Sequence, residues 1–486
     1  MLFPYEHVIL IDKDSKQPVY RQIAYAFMDA IRNGTLKAGT VLPGTRELSR
    51  VLNVHRKTVI AAYEELNAQD WIVIVPRKHV KVSGQIPSFK PGKWSNVNAS
   101  DSYKNNFALS FNRLEKETND ANIPSSAAIL IDDGYPDIRL SPIDELLKIY
   151  RSYTLRKYAV KTTVDIAQGT LQLRQALVTY LSETRGLNIS ADNLLITHGA
   201  QMSIYLAAKL LLNTESNIIV GIPNYTIASS TFQATGAKII EVSVDESGLD
   251  IDAVESLCKS KKITAVYLIP HHHYPTTVTL SVERRMRLLE LSTRYAFAII
   301  EDDYDYDYHY TSSPYLPLAS GSHTGNIIYI GSFSKILGPS IRIGFMVAPE
   351  NFIQESTRFR KNIDVGGDGY MQNALAELIK NGELGRHLKK ARKQYHQRRN
   401  YLHHLLQTKL GAYISYTLPE GGMAIWIKLH PEYSVAKLRE RTLRFLHFKG
   451  IYLNENAFRF GFASMNEKEL EGTVLILEDH LKSLYS

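Results

Sequence analysis

Cysteine is almost missing from this chain: Cys258 stands alone among 486 residues. A single thiol excludes an internal disulfide framework and suits a reducing cytoplasm. Long apolar runs are missing too. None approaches the roughly 20 residues of a membrane span, so no membrane role is expected. The N-terminal "VILI" is too short for a signal-peptide core and is followed by "DKDSK", so no export signal is read. Internal repeats are absent. Neither sign of charge dominates: the formal net charge of +8 is a mild basic excess that permits a nucleic-acid partner without arguing for one. The rest is ordinary, with 44% hydrophobic and 22% charged residues, as in soluble globular proteins. The length suits about three average domains, or one large domain and a small one.

Three zones follow from the pattern. Residues 1–83 alternate short helical patterns with turns. Residues 84–125, beginning "GQIPSFKPGKWSNVNAS", are rich in Ser, Asn, Lys and Pro without periodicity and read as a linker. From 126 to 486, β-branched runs such as "NIIVGI", "ITAVYLIP", "FAIIEDD" and "NIIYIGS" alternate with amphipathic helical segments. That alternation predicts βαβ units and a mostly parallel sheet.

In "LPGTRELSRVLNVHRKTVIAAYEELNAQDWIVI" two helical patterns flank a tight "LNV" turn. Leu48, Val51 and Leu52 form one expected apolar stripe, and Val59, Ala62, Tyr63 and Leu66 the next. The second helix opens on His55, Arg56, Lys57 and Thr58. Cations in a first turn oppose the helix dipole, a cost that makes sense if phosphates or base edges meet that end. "WIVIVPRKHVKVSG" reads as a hairpin with a basic tip, Arg77 to His79. A helix–turn–helix with a basic wing points to a double-stranded DNA operator as partner.

The stretch "SFSKILGPSIRIGF" places Lys335 among hydroxyls and apolar residues with no acid nearby. A lysine in a poorly solvated pocket has its ammonium disfavoured, and its amine is free to form a Schiff base. Pyridoxal 5'-phosphate also needs an anion site, a carboxylate at its pyridine nitrogen and a ring clamp. Ser332, Ser334 and Arg342 are candidates for the phosphate, together with Gly199, Ala200 and Gln201 where "LLITHGAQ" passes from strand to helix. Asp302 is the candidate for the ring nitrogen, Tyr304 for the ring hydroxyl and Tyr225 for stacking. Any one of these has an ordinary structural use; their joint occurrence in this order argues for a site.

The N-terminal zone resembles the winged helix-turn-helix of the GntR superfamily, from "PVYRQIAYAFMDAIRNGTLKAGTVLPGTRELSRVLNVHRKTVIAAYEEL". That resemblance implies DNA contacts at Thr45, Arg46, His55, Arg56, Lys57 and Thr58, with Lys78 in the wing. His55 replaces the usual Ser at the recognition-helix start, and Pro76-Arg77-Lys78 replaces the wing glycines. Residues 126–486 resemble fold-type I, aspartate-aminotransferase-like enzymes through "IIEDDYD", "GSFSKILGPSIRIGFMVAP", "GLDIDAV", "ETRGL" and "FGFASM". Joined, the two resemble the MocR-type, or GabR-like, transcriptional regulators. The expected fold is an α+β winged-helix head and an α/β aminotransferase-like domain with a smaller C-terminal subdomain. The resemblance implies an internal aldimine at Lys335, Arg459 as the carboxylate site for an amino-acid effector, and a homodimer. Two departures lie beside the site: "PHHHYPTT" ends in Thr277 where P-T-G is usual, and "GGMAIW" replaces a common "AGLH".

His271, His272 and His273 raise the question of a metal. Adjacent strand residues face opposite ways and no i, i+4 pair is present, so no metal is expected. The expectation is a cytoplasmic regulator whose effector, a small amino compound or pyridoxal phosphate itself, acts through aldimine chemistry at Lys335. The alternative is a working aminotransferase with an accessory DNA-binding head.

Overall fold

The computed structural model describes residues 4–12, 14–15, 17–75, 78–84, 110, 129–155, 166–311 and 316–483. The chain divides into two compact units, Met1–Glu115 and Lys116–Ser486. The divide falls inside the interval read as a linker. All of that interval except Gly84 and Ser110 lies outside the described residues, as do Pro76 and Arg77 of the wing tip.

In the first unit the helices Val19–Arg32, Thr45–Val51 and Arg56–Ala68 pack with a small antiparallel sheet. Its strands are β1 (Val41–Leu42), β2 (Ile72–Val75) and β3 (His79–Val82), in the order β1-β3-β2. β2 and β3 pair from Ile72↔Val82 to Val75↔His79, which is the expected hairpin. Val59, Ala62, Tyr63 and Leu66 recur at helical spacing and are all buried, against Ile23, Phe27 and Leu48. The other stripe needs correction. Leu48 is buried, but Val51 is 39% exposed. The helix ends at Val51, and Asn53 (φ 50°) then turns the chain, so the last turn no longer faces the core.

The first described element of the second unit is β4 (Ile129–Ile131). Its main sheet contains β5 (Leu194–Thr197), β6 (Asn217–Ile222), β7 (Lys238–Asp245), β8 (Gly248–Leu249), β9 (Ala265–Leu268), β10 (Ala298–Asp303), β11 (Ile327–Ser332) and β12 (Gly344–Val347). The order is β5-β12-β11-β10-β9-β6-β7-β8. β7, β6, β9, β10 and β11 run parallel, and β5 shares their direction because two antiparallel steps through β12 restore it. Strands buried on both faces read as continuous apolar runs, as "NIIVGI" and "AVYL" do.

A smaller antiparallel sheet holds β13 (Ile414–Ser415), β14 (Ala424–Leu429), β16 (Ile451–Tyr452) and β17 (Ala457–Gly461), in the order β13-β14-β17-β16. Between them in sequence, β15 (Leu446–Phe448) pairs in parallel with β4. The first described strand of the unit thus pairs with a strand of its C-terminal part.

Candidate functional site

In an open parallel sheet, ligands bind outside the carboxyl ends of the strands. Here the carboxyl ends of β5, β6, β9, β10 and β11 lead to Gly199–Gln201, Tyr225, Tyr274, Tyr304 and Lys335. A cavity of about 400 Å³ is lined by Lys335, Asp302, Tyr304, Tyr225, Ala200, Gln201, Ser332, Ser334 and Arg342. The residues that sequence reasoning scattered over 140 positions are therefore brought together.

Lys335 sits in the four-residue helix Ser334–Leu337, just past β11. Its Nζ donates to the Gly134 carbonyl at 2.6 Å and lies 4.9 Å from the Tyr135 ring centroid. Burial lowers its pKa, while the Asp133 charge works the other way. The acid missing from the local sequence is supplied from far upstream.

Asp302, at 3% exposure, accepts from the Tyr267 hydroxyl through Oδ2 at 2.8 Å. Its Oδ1 is buried with no hydrogen-bond partner among the described residues. Burial pushes this carboxyl up to about 7. The Tyr304 hydroxyl donates to the His272 carbonyl at 3.0 Å and accepts from Arg459 Nη2 at 2.8 Å, and Tyr304 lines the same cavity. Tyr225 immediately precedes the helix Thr226–Gln233 and meets Tyr274 edge-on at 5.6 Å.

Gly199 precedes the helix Ala200–Leu211 at φ 82°, a conformation that favours glycine. Ala200 and Gln201 at that helix start line the same cavity as Ser332 and Ser334, and the first N–H groups of a helix have no partner within it. Arg342 joins them, donating from Nη2 to the His198 carbonyl at 3.0 Å and from Nη1 to Ser334 Oγ at 3.4 Å.

Arg459 lies on β17 at 1% exposure, behind the cavity wall. Nε donates to the Asp133 carbonyl at 2.7 Å and Nη1 to the Pro275 carbonyl at 2.8 Å; Nη2 reaches Tyr304. All three acceptors are uncharged. Arg459 makes no ion pair with a carboxylate among the described residues, Glu455 included.

The three histidines are held individually. His271 Nδ1 lies 3.7 Å from Asp303, His272 Nδ1 is 2.9 Å from Asp305, and His273 Nε2 is 2.9 Å from the Pro223 carbonyl. No group of three His, Cys, Asp or Glu among the described residues is placed to hold a metal. Thr277 adopts φ 63°, the conformation the absent glycine of P-T-G would take freely. Gly421 of "GGMAIW" packs so closely that a Cβ there would lie 2.3 Å from His272 Nε2.

Sequence reasoning does not single out Asp133, Gly134, Tyr135, Tyr267, Tyr274, Lys449 or Tyr452. The available signal was "DDGYP", a turn pattern. Nothing local says that this turn reaches Lys335.

In the first unit, Arg46, His55, Arg56, Lys57 and Lys78 are exposed, and Thr45 and Thr58 are half-buried. His55 Nδ1 accepts from Lys57 N at 3.2 Å, so it caps the helix in place of the usual serine. Arg56 Nε donates to Thr45 Oγ1 at 3.2 Å, tying the two helix starts together. No helix among the described residues is long and apolar enough to cross a membrane.

Residues 160–475 match the model of the family "Aminotransferase class I and II", and residues 19–82 that of "Bacterial regulatory proteins, gntR family". The chain is 28% identical to the uncharacterized HTH-type transcriptional regulator YdfD of Bacillus subtilis (strain 168), over 100% of both chains. It is 25% identical to the probable rhizopine catabolism regulatory protein MocR of Rhizobium meliloti, covering 86% of this chain and 83% of that one. The crystal structure of Pyrococcus horikoshii kynurenine aminotransferase, in complex with PMP, superposes with a TM-score of 0.68 at 27% identity, covering 74% of this chain and 92% of that one. With its aminotransferase-like second unit and its helix-turn-helix head, the chain belongs to the class I and II aminotransferase family, in the GntR-headed form of the MocR-type regulators.

Proposed function

We propose that this chain is a transcriptional regulator that binds operator DNA with its first unit and holds pyridoxal 5'-phosphate in its second. There a small amino compound, or the cofactor itself, is sensed at Lys335. The observation that carries this reading is the pairing, across one cavity, of a half-buried lysine amine with a buried carboxylate oxygen that lacks a partner among the described residues, Asp302 Oδ1. An unpaired buried carboxylate oxygen is costly, and the protonated ring nitrogen of the cofactor would satisfy it. The helix start at Ala200, the two serines and Arg342 fit its phosphate. When bound, the group supplies an electrophilic carbonyl carbon and an electron-accepting ring.

The chain's own residues do the rest. Burial lowers the pKa of Lys335 and so favours the amine over the ammonium, and Asp302 would hold the proton at the ring nitrogen. Arg459 is a buried guanidinium whose bonded acceptors are all uncharged, and an effector carboxylate would be its counter-ion. The exposed Arg46, Arg56 and Lys57 would meet phosphates and base edges. A homodimer in the cytoplasm, with domains at 1–83 and 126–486, belongs to the same reading.

The test is an absorption spectrum of the purified protein, wild type and Lys335→Ala, titrated with amino compounds. A visible band of lysine-bound cofactor in the wild type, shifted by amines and lost in the variant while DNA affinity is kept, supports the reading. Persistence of that band in the variant overturns it. The second reading, a working aminotransferase, is favoured by the presence of every residue the chemistry needs; steady turnover at ordinary enzyme rates would decide for it.

A further inference from the structure

Two adjacent carbonyls in the turn after β4 are gripped by the two residues through which an effector would act. The Asp133 carbonyl accepts from Arg459 Nε at 2.7 Å, and the Gly134 carbonyl from Lys335 Nζ at 2.6 Å. The turn has its own internal brace. Asp132 Oδ1 accepts from the backbone N–H of Gly134 at 2.7 Å and of Tyr135 at 2.8 Å, while Oδ2 accepts from Ser464 Oγ. Gly134 sits at φ 103°, which a side chain would strain. A Cβ on residue 461 would lie 2.0 Å from Asp132 Oδ1, so the brace has its place only because that residue is glycine.

Resting on the proposed function, we infer that Asp132 is a positioning residue: it holds the turn in the shape that lets Arg459 and Lys335 report effector binding to β4. With the cofactor bound, Nζ would be engaged at its carbonyl carbon until an effector nitrogen took its place: the lysine's C=N bond would be exchanged for the effector's, and the two protons of the effector's neutral amine would pass to Nζ. The freed amine donates to the Gly134 carbonyl, as it does here, and the effector carboxylate draws on Arg459, which holds the neighbouring carbonyl. Both events load one turn. β4, which leads into it, is the first described element of the second unit, so in sequence the turn follows the stretch arriving from the DNA-binding unit.

The experiment uses the full chain in two forms, loaded with pyridoxal phosphate (Nζ engaged) or with pyridoxamine phosphate (Nζ free). The DNA probe is a duplex selected by the wild-type protein from a random-sequence pool. Amide exchange at Gly134 and Tyr135 is expected to be slower in the pyridoxamine form, and DNA affinity to differ between forms by about fivefold or more. Asp132→Ala should bind both cofactor forms yet bring the ratio of DNA affinities within about twofold. Asp132→Asn, which keeps the Oδ1 acceptor, should restore the ratio. A brace that matters only for folding would lower thermal stability in Asp132→Ala and leave the ratio alone, which overturns the inference. Equal exchange in the two wild-type forms overturns it without any variant. If the wild type selects no duplex, the regulator reading fails; the exchange comparison still decides the turn.

Discussion

Gly199 and Arg342 share one space: a Cβ on residue 199 would lie 2.6 Å from Arg342 Nη2. Gly199→Ala therefore displaces the guanidinium from the proposed phosphate site. Loss of a charge-assisted contact costs on the order of 1.5–3 kcal/mol, so the dissociation constant for pyridoxal phosphate should rise about ten- to a hundredfold. Arg342→Ala should give the same loss without backbone strain. Unchanged affinity in both, by fluorescence titration, removes Arg342 from the phosphate site.

Arg459→Ala should raise the midpoint for carboxylate-bearing amino compounds by about ten- to a hundredfold. Amines without a carboxylate should respond as before, because they never use the guanidinium. The check is the shift of the cofactor's visible band with paired amino acids and their decarboxylated amines. Equal losses for both classes assign Arg459 to holding Tyr304 and Asp133 in place.

For the first unit, Arg56→Ala and Lys57→Ala should each weaken operator binding and reduce the salt dependence of log K by about one per charge. Cofactor loading should not change. His55→Ala, by contrast, removes a helix cap as well and should cost about 1 kcal/mol of stability. Salt titration with anisotropy detection separates the two. Slopes equal to wild type return Arg56 and Lys57 to the solvated surface.

The Asp302 carboxyl is pushed up to about 7 by burial, against an ordinary value of 3.8. Between those values the native state holds a proton that the unfolded chain has lost. Its contribution to stability therefore falls as pH rises from 3.8 to about 7 and is flat above. In cofactor-free protein, the stability of wild type relative to Asp302→Asn should drop across that window, by at most about 1.4 kcal/mol per pH unit. A difference that ignores pH means the carboxyl titrates normally.

Thr277 holds a left-handed backbone with a β-branched side chain. Thr277→Gly should relieve strain of about 1–2 kcal/mol and return part of it through the greater freedom of glycine when unfolded. A net gain of up to about 1 kcal/mol in denaturant unfolding is expected. A loss would show that the threonine side chain contributes contacts worth more than the strain.

Both halves of the fold were legible because their signals are local. The periodicity of Val59, Ala62, Tyr63 and Leu66 states which helix face is buried, the β-branched runs mark strands covered on both sides, and the structure buries both. Lys335, Asp302 and Tyr225 carried a local motif or loop position and do line one cavity. Asp133 and Gly134 could not be found that way. Their role comes from strand order, which carries β4 to β15 and so to the small sheet bearing Arg459. Val51 went wrong for a related reason: a helix end is decided by the chain that arrives next, outside any window of periodicity.

The pairing of Ile129 with Leu446 also orders events in time. The core of the first unit, from Ile9 to Val82, precedes β4 in the chain. β4 is the next described element, yet its partner strand β15 lies far downstream and is synthesised much later. The first unit can therefore fold long before the Asp132–Tyr135 turn has β15 beside it. A nascent chain halted short of β15 would carry a finished first unit while β4 still lacked its partner strand.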